Sequence, residues 1–448
     1  VTEPTGGILD RALRRRIWRD GVWVGAGQAA MAAGAFAALK LLTTFLSVDE
    51  YGRFALVAGL VALGSNVLVV PTLQSVLRFY PQAVNEKSVW ALRRLSFQRT
   101  RWGAGVAALA LVAGGAVWTS VTSSPIPILG YLLAACFLTA DLVRGVEMSL
   151  LNAARRQRDC AVRGAADAWA RPLLACAAIA LFGPGLSEVF LGYVLGSILI
   201  SLAFRSRTVR GEGSSGRWQE NQWVRDNRHA FVRFALPLVP LAGLNWVMSL
   251  GDRYILAGAA GASAVGTYAA AYALGSQPLI AANQLVHSTL RPVLYDAVTL
   301  GDRAKERRIL RIWLALTVGL AVCGTTACVA LAPALARGLL GPRFGEAAVL
   351  LPWIALAYGF QIVQQTFEVM MYAHGMTRRL MALQAIAATA ALVSYVLLIP
   401  AYGAMGAAWG TLATFVLTSA TAAVMASARG RLIGAGVSRT TLAKDDRL

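Results

Sequence analysis

Acidic residues are scarce in this chain. Its 448 residues include 22 Asp and Glu against 42 Lys and Arg, and charged residues of both signs make up only 14%. With 57% apolar residues, a soluble globule of this length is excluded, because about half the chain would have nowhere polar to point. Histidine occurs only 3 times, and neither HExxH nor CxxC spacing is present, so no metal site is expected. The 5 cysteines, Cys136, Cys160, Cys176, Cys323 and Cys328, lie in or beside apolar segments without the spacing of a metal site or a disulfide framework. A Walker-type phosphate loop is also missing, so the chain is not expected to bind ATP, and no cofactor is expected at all.

What the chain has in abundance is apolar runs of about 20 residues, each long enough to cross a hydrocarbon core. They predict helices at 20–46, 54–79, 103–121, 126–150, 161–182, 186–204, 230–251, 264–292, 309–332, 347–372, 379–399 and 404–427. The fold class is therefore an all-α polytopic membrane protein with about twelve transmembrane helices. Ile8 to Asp20, carrying Arg11, Arg14, Arg15, Arg16 and Arg19, reads as a basic amphipathic helix on the membrane surface rather than a cleavable signal.

A net charge of +20 would suit nucleic acid, but its distribution argues otherwise. About 35 of the basic residues fall in the termini and alternate loops, and about four in the opposite set, which is the positive-inside bias. Both termini are then cytoplasmic. No folded basic surface with interleaved aromatics exists, so a nucleic-acid partner is not expected.

The chain repeats itself. "VDEYGRFALVAGLV" (48–61) lies over "ASAVGTYAAAYALG" (262–275), "SVLR" (75–78) over "STLR" (288–291), and "GYVLGS" (192–197) over "GAAWGT" (406–411). This divides the chain into a surface segment (1–19), a six-helix bundle (20–204), a linker (205–229) containing the flexible-looking "RGEGSSGRWQENQ", a second six-helix bundle (230–428) and a tail (429–448). Six helices per half make the two halves parallel repeats, an arrangement that in transporters encloses a central cavity between them.

Against this apolar background, "TADLVRGVEMSLLNAARRQRDCAVRGAADAWAR" (139–171) is conspicuous. Helices four and five form an antiparallel hairpin there, and facing residues in such a hairpin have numbers of nearly constant sum. Asp141 with Arg171, Arg144 with Asp167, and Glu147 with Arg163 obey that rule, and each pair is of opposite sign. A lone charge at mid-bilayer costs at least ~3 kcal/mol, which pairing largely avoids. A structural salt-bridge ladder is expected, the competing reading being that these arginines grip a substrate phosphate.

The segments "LSVDEYGRFAL", "GDRYILAGAAGASAVGTYAAAYALGSQPL", "LLGPRFGEAAVLLPWIAL" and "LLIPAYGAMGAAWGTL", in this order and spacing, resemble the polysaccharide-export flippases. Their superfamily also holds the multidrug-and-toxin extruders and the lipid II flippases. The resemblance implies two six-helix lobes around a central cavity lined by helices one, two, seven and eight. It further implies a bacterial inner-membrane location and movement of an undecaprenyl-pyrophosphate-linked oligosaccharide from the inner to the outer leaflet. Membrane lipids, a polysaccharide polymerase and a chain-length regulator are the further partners implied.

On the helices so implied, Lys40 lies about two turns below the outer end of helix one, near the level of Arg253 in the repeat. Arg78 and Arg291 hold equivalent inner ends of helices two and eight. Two basic levels suit an anionic pyrophosphate. The competing reading has Arg78 and Arg291 snorkelling to headgroups and Arg253 sitting at the interface beside Asp252. Asn66, Gln74, Asn245, Asn283 and Gln284 could hydrogen-bond a sugar or simply join helices. Trp23, Trp246 and Tyr272 could stack on sugar rings or pack at the interface. Glu368, six residues before His374, is the candidate for ion coupling, with a hydrogen bond to Gln364 as its structural alternative. Pro71, Pro237, Pro240, Pro278 and Pro292 are expected to bend helices two, seven and eight.

Two rival functions remain at the level of sequence. A membrane glycosyltransferase or polymerase could use Asp49 and Glu50, but the second half lacks acids at the equivalent place, and the pair suits the N-terminus of helix two. A drug or cation antiporter of the same superfamily would favour acids over bases along its path.

Overall fold

The computed structural model describes the backbone of residues 6–121, 126–209 and 217–434, and the side chains of residues 22–120, 126–204 and 222–426. Within these residues the chain forms helices and no strand. In order they are α1 (Gly6–Phe45), α2 (Val48–Asn85), α3 (Val89–Val121), α4 (Ile128–Ala153), α5 (Gln157–Phe182), α6 (Leu186–Val209), α7 (Arg217–Ala235), α8 (Leu238–Leu300), α9 (Arg303–Leu339), α10 (Ala347–Ala373) and α11 (Thr377–Gly434).

Among the described residues, ten helical stretches are long and apolar enough to cross a membrane. Two of them must cross twice. A straight helix of the 63 residues in α8 would be about 95 Å long, roughly three hydrocarbon thicknesses. Each long helix is broken by a glycine in the left-handed region, Gly261 in α8 (φ 81°) and Gly403 in α11 (φ 58°), a conformation that costs a residue without Cβ little. The breaks divide α8 and α11 into two arms each, which makes twelve crossings of a multi-pass membrane protein.

Several helices outrun their apolar segments. α2 extends to Asn85 and α3 begins at Val89, so Arg93, Arg94 and Arg99 stand on a helix and not in a loop. The expected linker 205–229 is also more ordered than its composition suggests. Residues 210–216 lie outside the described residues, but Arg217–Ala235 is helix α7. Its order comes from two anchors two turns apart: Trp223 and Phe231 are buried in one apolar cluster with Val76 and Phe79 of α2 and Leu92 and Leu95 of α3. The Trp223 indole N–H also donates to Glu86 at 2.5 Å. The side chains of the arginines in 8–20 and the tail residues 435–448 likewise lie outside the described residues.

Pro71, Pro278 and Pro292 fall inside helices, whereas Pro237 and Pro240 do not interrupt one. Pro237 sits in the turn between α7 and α8, and Pro240 lies in the first turn of α8, where the missing N–H had no partner to lose. Asp49 and Glu50 occupy the first turn of α2, the favourable end of the helix dipole for a carboxylate.

The chain divides into two compact units, Val1–Ser47 with Arg53–Gly243, and Val48–Gly52 with Leu244–Leu448. The division falls at Gly243 and not at 229, because α7 packs against α3 in the first unit. Within that unit α1 packs on α5, α5 on α6, and α4 on both α3 and α6. In the second, α10 packs between α9 and α11. The first turn of α2 belongs to the second unit through a close backbone crossing. A Cβ on Gly52 would overlap the Ala262 carbonyl, and one on Gly266 would overlap the Val48 carbonyl. These are corresponding positions of the two repeats, so one crossing uses both copies of the motif. Gly52→Ala and Gly266→Ala are each expected to lower the thermal unfolding temperature of the purified protein, at a cost of about 1–3 kcal/mol. Gly105→Ala, in the interior of α3 where a Cβ meets open space, should not lower it.

Candidate functional site

In the first unit α4 and α5 approach each other less closely than either approaches α6. Long charged side chains span the gap. Arg171 meets Asp141 at 3.1 Å, Arg144 meets Asp167 at 3.7 Å, and Arg163 meets Glu147 at 2.5 Å. These are the three cross-helix pairings named by the hairpin register. The network also runs along each helix: Arg144 donates to Asp141 at 2.7 and 3.0 Å, and Arg171 lies 3.9 Å from Asp167. Two further helices join it, with Ser65 of α2 donating to Asp141 at 3.2 Å and Arg93 of α3 standing 3.8 Å from Glu147. Arg163 is wholly buried, and Asp167 is only 5% exposed. Phe137 carries the Arg171 guanidinium on its ring face at 4.9 Å, backing the cation with a π surface.

The second unit buries its acid differently. Asp252 is 1% exposed and meets hydroxyls and amides. Tyr268 donates to it at 2.5 Å and the Arg253 backbone N–H at 2.8 Å. Thr411 links Tyr268 (3.2 Å) to Tyr395 (3.4 Å), and Tyr395 donates on to the Met248 carbonyl at 3.2 Å. Tyr272 and Tyr358 share a further hydrogen bond. In the sequence Asp252 stands out only as the neighbour of Arg253. The missed signal was tyrosine in otherwise apolar helices: Tyr268 and Tyr272, one turn apart on one face of α8, and Tyr395 on α11.

The candidate substrate residues divide between the units. Lys40, Asn66, Gln74 and Arg78 lie in the first, and Asn245, Arg253, Gln284 and Arg291 in the second. Arg78 is exposed, its guanidinium 4.4 Å over the Phe234 ring of α7. Arg291 is exposed over the Tyr295 ring at 5.4 Å, and its Nε donates to the Tyr295 hydroxyl at 3.4 Å. Arg253 is half-buried over Tyr272 at 5.0 Å. Lys40 and Asn66 are half-buried, while Gln74, Asn245 and Gln284 are exposed. Asn283 is instead buried and donates to Gln365 of α10 at 2.7 Å, joining two helices.

Among the aromatic candidates, Trp23 holds Arg158 at 5.3 Å and Trp246 packs on Tyr254 at 5.1 Å. Glu368 accepts from Gln364 at 2.8 Å and from Gln384 of α11 at 3.4 Å. His374 bonds Glu306 of α9 at 2.6 Å. Among the described residues no group of three or more His, Cys, Asp or Glu side chains could hold a metal ion.

Neither a protein-family model nor a curated protein sequence matches this chain. Solved structures do share its fold. The lipid II flippase MurJ, in an inward closed conformation, superposes with a TM-score of 0.70 at 12% identity, covering 90% of this chain and 86% of that one. The MATE transporter VcmN of Vibrio cholerae gives 0.68 at 14% identity, covering 94% and 98%. A MOP-superfamily transporter from Pyrococcus furiosus, described as having a binding pocket of reversed polarity, gives 0.61 at 12% identity, covering 93% and 94%. The fold is thus the one found in these MOP-superfamily structures.

Pairing in the first unit has a measurable signature. Glu147→Gln removes the carboxylate facing wholly buried Arg163 and is expected to cost about 3–5 kcal/mol. Replacing both partners with apolar residues, Glu147→Leu with Arg163→Met, should cost less. Thermal unfolding in detergent checks this, and a double replacement at least as damaging as the single one would show that the two do not act as a pair.

Proposed function

We propose that this chain is an alternating-access flippase that carries an undecaprenyl-pyrophosphate-linked oligosaccharide from the inner to the outer leaflet of a bacterial cytoplasmic membrane. Its arginine-rich face and both termini are on the cytoplasmic side, and the product leaves for a polysaccharide polymerase and its chain-length regulator. The fold shared with a lipid II flippase supports this reading.

One observation carries it. Arg78 and Arg291, at matching places in the two repeats, are both exposed and both lie over an aromatic ring. No carboxylate stands within ion-pair distance of either among the described residues. A guanidinium lying over a ring spends its face there and keeps N–H groups at its planar edge for phosphate oxygens, with the Arg291 Nε already donating to Tyr295. Arg78 in the first unit and Arg291 in the second are each assigned to phosphate oxygens of the pyrophosphate, and Lys40 and Arg253 are the further basic residues assigned to it. Asn66, Gln74, Asn245 and Gln284 offer donors and acceptors to the sugar. Glu368, held by two amides and no cation, couples the cycle to an ion gradient.

Buried Asp252 favours a second reading, a cation antiporter of the same fold, since an enclosed carboxylate attracts a cation. Reconstituted vesicles separate the two. Lipid-linked oligosaccharide flipping should fall about tenfold, near 1.4 kcal/mol, in Arg78→Ala and in Arg291→Ala, with partial recovery in the lysine variants. Lys40→Ala should fall similarly. Unchanged flipping in correctly inserted variants, with cationic-drug efflux lost in Asp252→Asn, would decide for the antiporter.

A further inference from the structure

Two polar stripes in the second unit face each other where apolar packing would be the ordinary solution. On α8, Ser276, Asn283 and His287 follow at seven and four residues, and on α10, Gln361, Gln365 and Glu368 follow at four and three, so each set occupies one helix face. The stripes are joined by the Asn283–Gln365 hydrogen bond and, nearer the start of both helices, by the Tyr272–Tyr358 bond. Gly275 faces Ile354 along the same line. Residue numbers advance together from the Tyr272–Tyr358 bond to the Asn283–Gln365 bond, so the second arm of α8 and α10 run in the same direction. In that register His287 stands at the level of Glu368.

The seam is incompletely bonded. Ser276 Oγ, Asn283 Oδ1, His287 Nε2 and Gln361 Oε1 are buried without a protein partner, and so is Trp313 Nε1 on the adjacent α9. Each such group costs about 1–3 kcal/mol if left bare, and buried polar groups in native proteins are satisfied by ordered water when protein does not reach them. Five such groups lie around one seam, and they are the donors and acceptors that bridging water bonds to. The edge of the His287 ring meets the face of buried Trp313, or the reverse, at 5.1 Å and 90°. The charged and titratable groups around the pair are Arg291 and Tyr295 on α8 and Tyr372 on α10. Arg291 acts on His287, and Tyr372 feels Glu368, Arg291 and Tyr295. α9 presents Trp313, and α11 presents Gln384 to Glu368.

We propose that the α8/α10 seam is a hydrated proton-binding path in which His287 and Glu368 take up one proton in turn. This rests on the coupling role given to Glu368 and names its ion and its second carrier. A hydronium entering the water file gives its proton to the Nε2 lone pair of His287 and is left as water. The imidazolium then passes a proton through the file to the Glu368 carboxylate and returns to neutral imidazole. A sodium ion would need a shell of hard oxygen ligands, for which an imidazole nitrogen is a poor member, whereas a proton needs one lone pair at a time.

Trp313 reports on its neighbour, because an imidazolium quenches the emission of an indole it touches. The emission difference between the purified wild type and Trp313→Phe should fall on acidification in one titration step within about pH 5–8. His287→Gln should abolish the step. Glu368→Gln should move it to lower pH, since the carboxylate favours the cationic ring. Exchanging sodium chloride for choline chloride should leave it in place. A step that survives His287→Gln, a step displaced by sodium, or no step at all would overturn the proposal. If His287→Gln does not fold, the downward shift in Glu368→Gln decides. No oligosaccharide enters this experiment, so its failure leaves the flippase reading standing, and failed flipping leaves the proton site standing.

Discussion

A carboxylate or guanidinium inside hydrocarbon has no water to turn to, and the rest of this molecule is arranged around that fact. The cost of a bare charge, at least ~3 kcal/mol at the bilayer centre, exceeds what any single packing contact returns. It explains why α4 and α5 stand apart and are bridged by side chains. Seven charged residues from three helices, with Ser65 of a fourth, satisfy one another across a space that apolar residues would have closed. It also explains why acid scarcity has consequences. Asp141, Glu147 and Asp167 are committed to arginines and Asp252 to a tyrosine, so the cations left exposed at the repeat-related ends of α2 and α8 rest on rings instead of carboxylates.

The two units meet the same constraint with different chemistry. The first uses full charges in close pairs, which are expensive to separate and hold a fixed spacing between helices. The second, beside its His374–Glu306 contact, draws on amides and hydroxyls: the Tyr268, Thr411 and Tyr395 cage around Asp252, the Asn283–Gln365 link, and Thr418 with Gln364 at 2.6 Å. A neutral hydrogen bond exchanges for water at about 1 kcal/mol, so a bundle held this way can admit water without coming apart. In our proposal the α4–α5 ladder holds the spacing of the first unit, and the α8/α10 seam of the second admits the proton.

Helix α7 ties the architecture to the candidate site. By burying Trp223 and Phe231 against α2 and α3 it turns a polar connection into a brace, and Phe234 on the same helix supplies the ring under Arg78. The guanidinium is positioned by a segment whose composition resembles a flexible linker, with Gln82 also donating to Asn227 at 3.4 Å to hold the two helices in register.

By itself the sequence determined the helical class, the number of crossings, the twofold repetition and the ladder between α4 and α5. All of these follow from periodicity, from the length of chain needed to span hydrocarbon, or from the constant-sum register of an antiparallel hairpin. The basic candidates were legible as residue types, but what backs them was not. Only the tertiary structure decided that Phe234 lies beneath Arg78, that Asp252 is enclosed by tyrosines from α8 and α11, that His287 shares a seam with Gln365 and Glu368, and that residues 217–235 are helix. Each depends on which helix faces become neighbours, and that is settled by packing between segments far apart in sequence, where spacing along the chain carries no information.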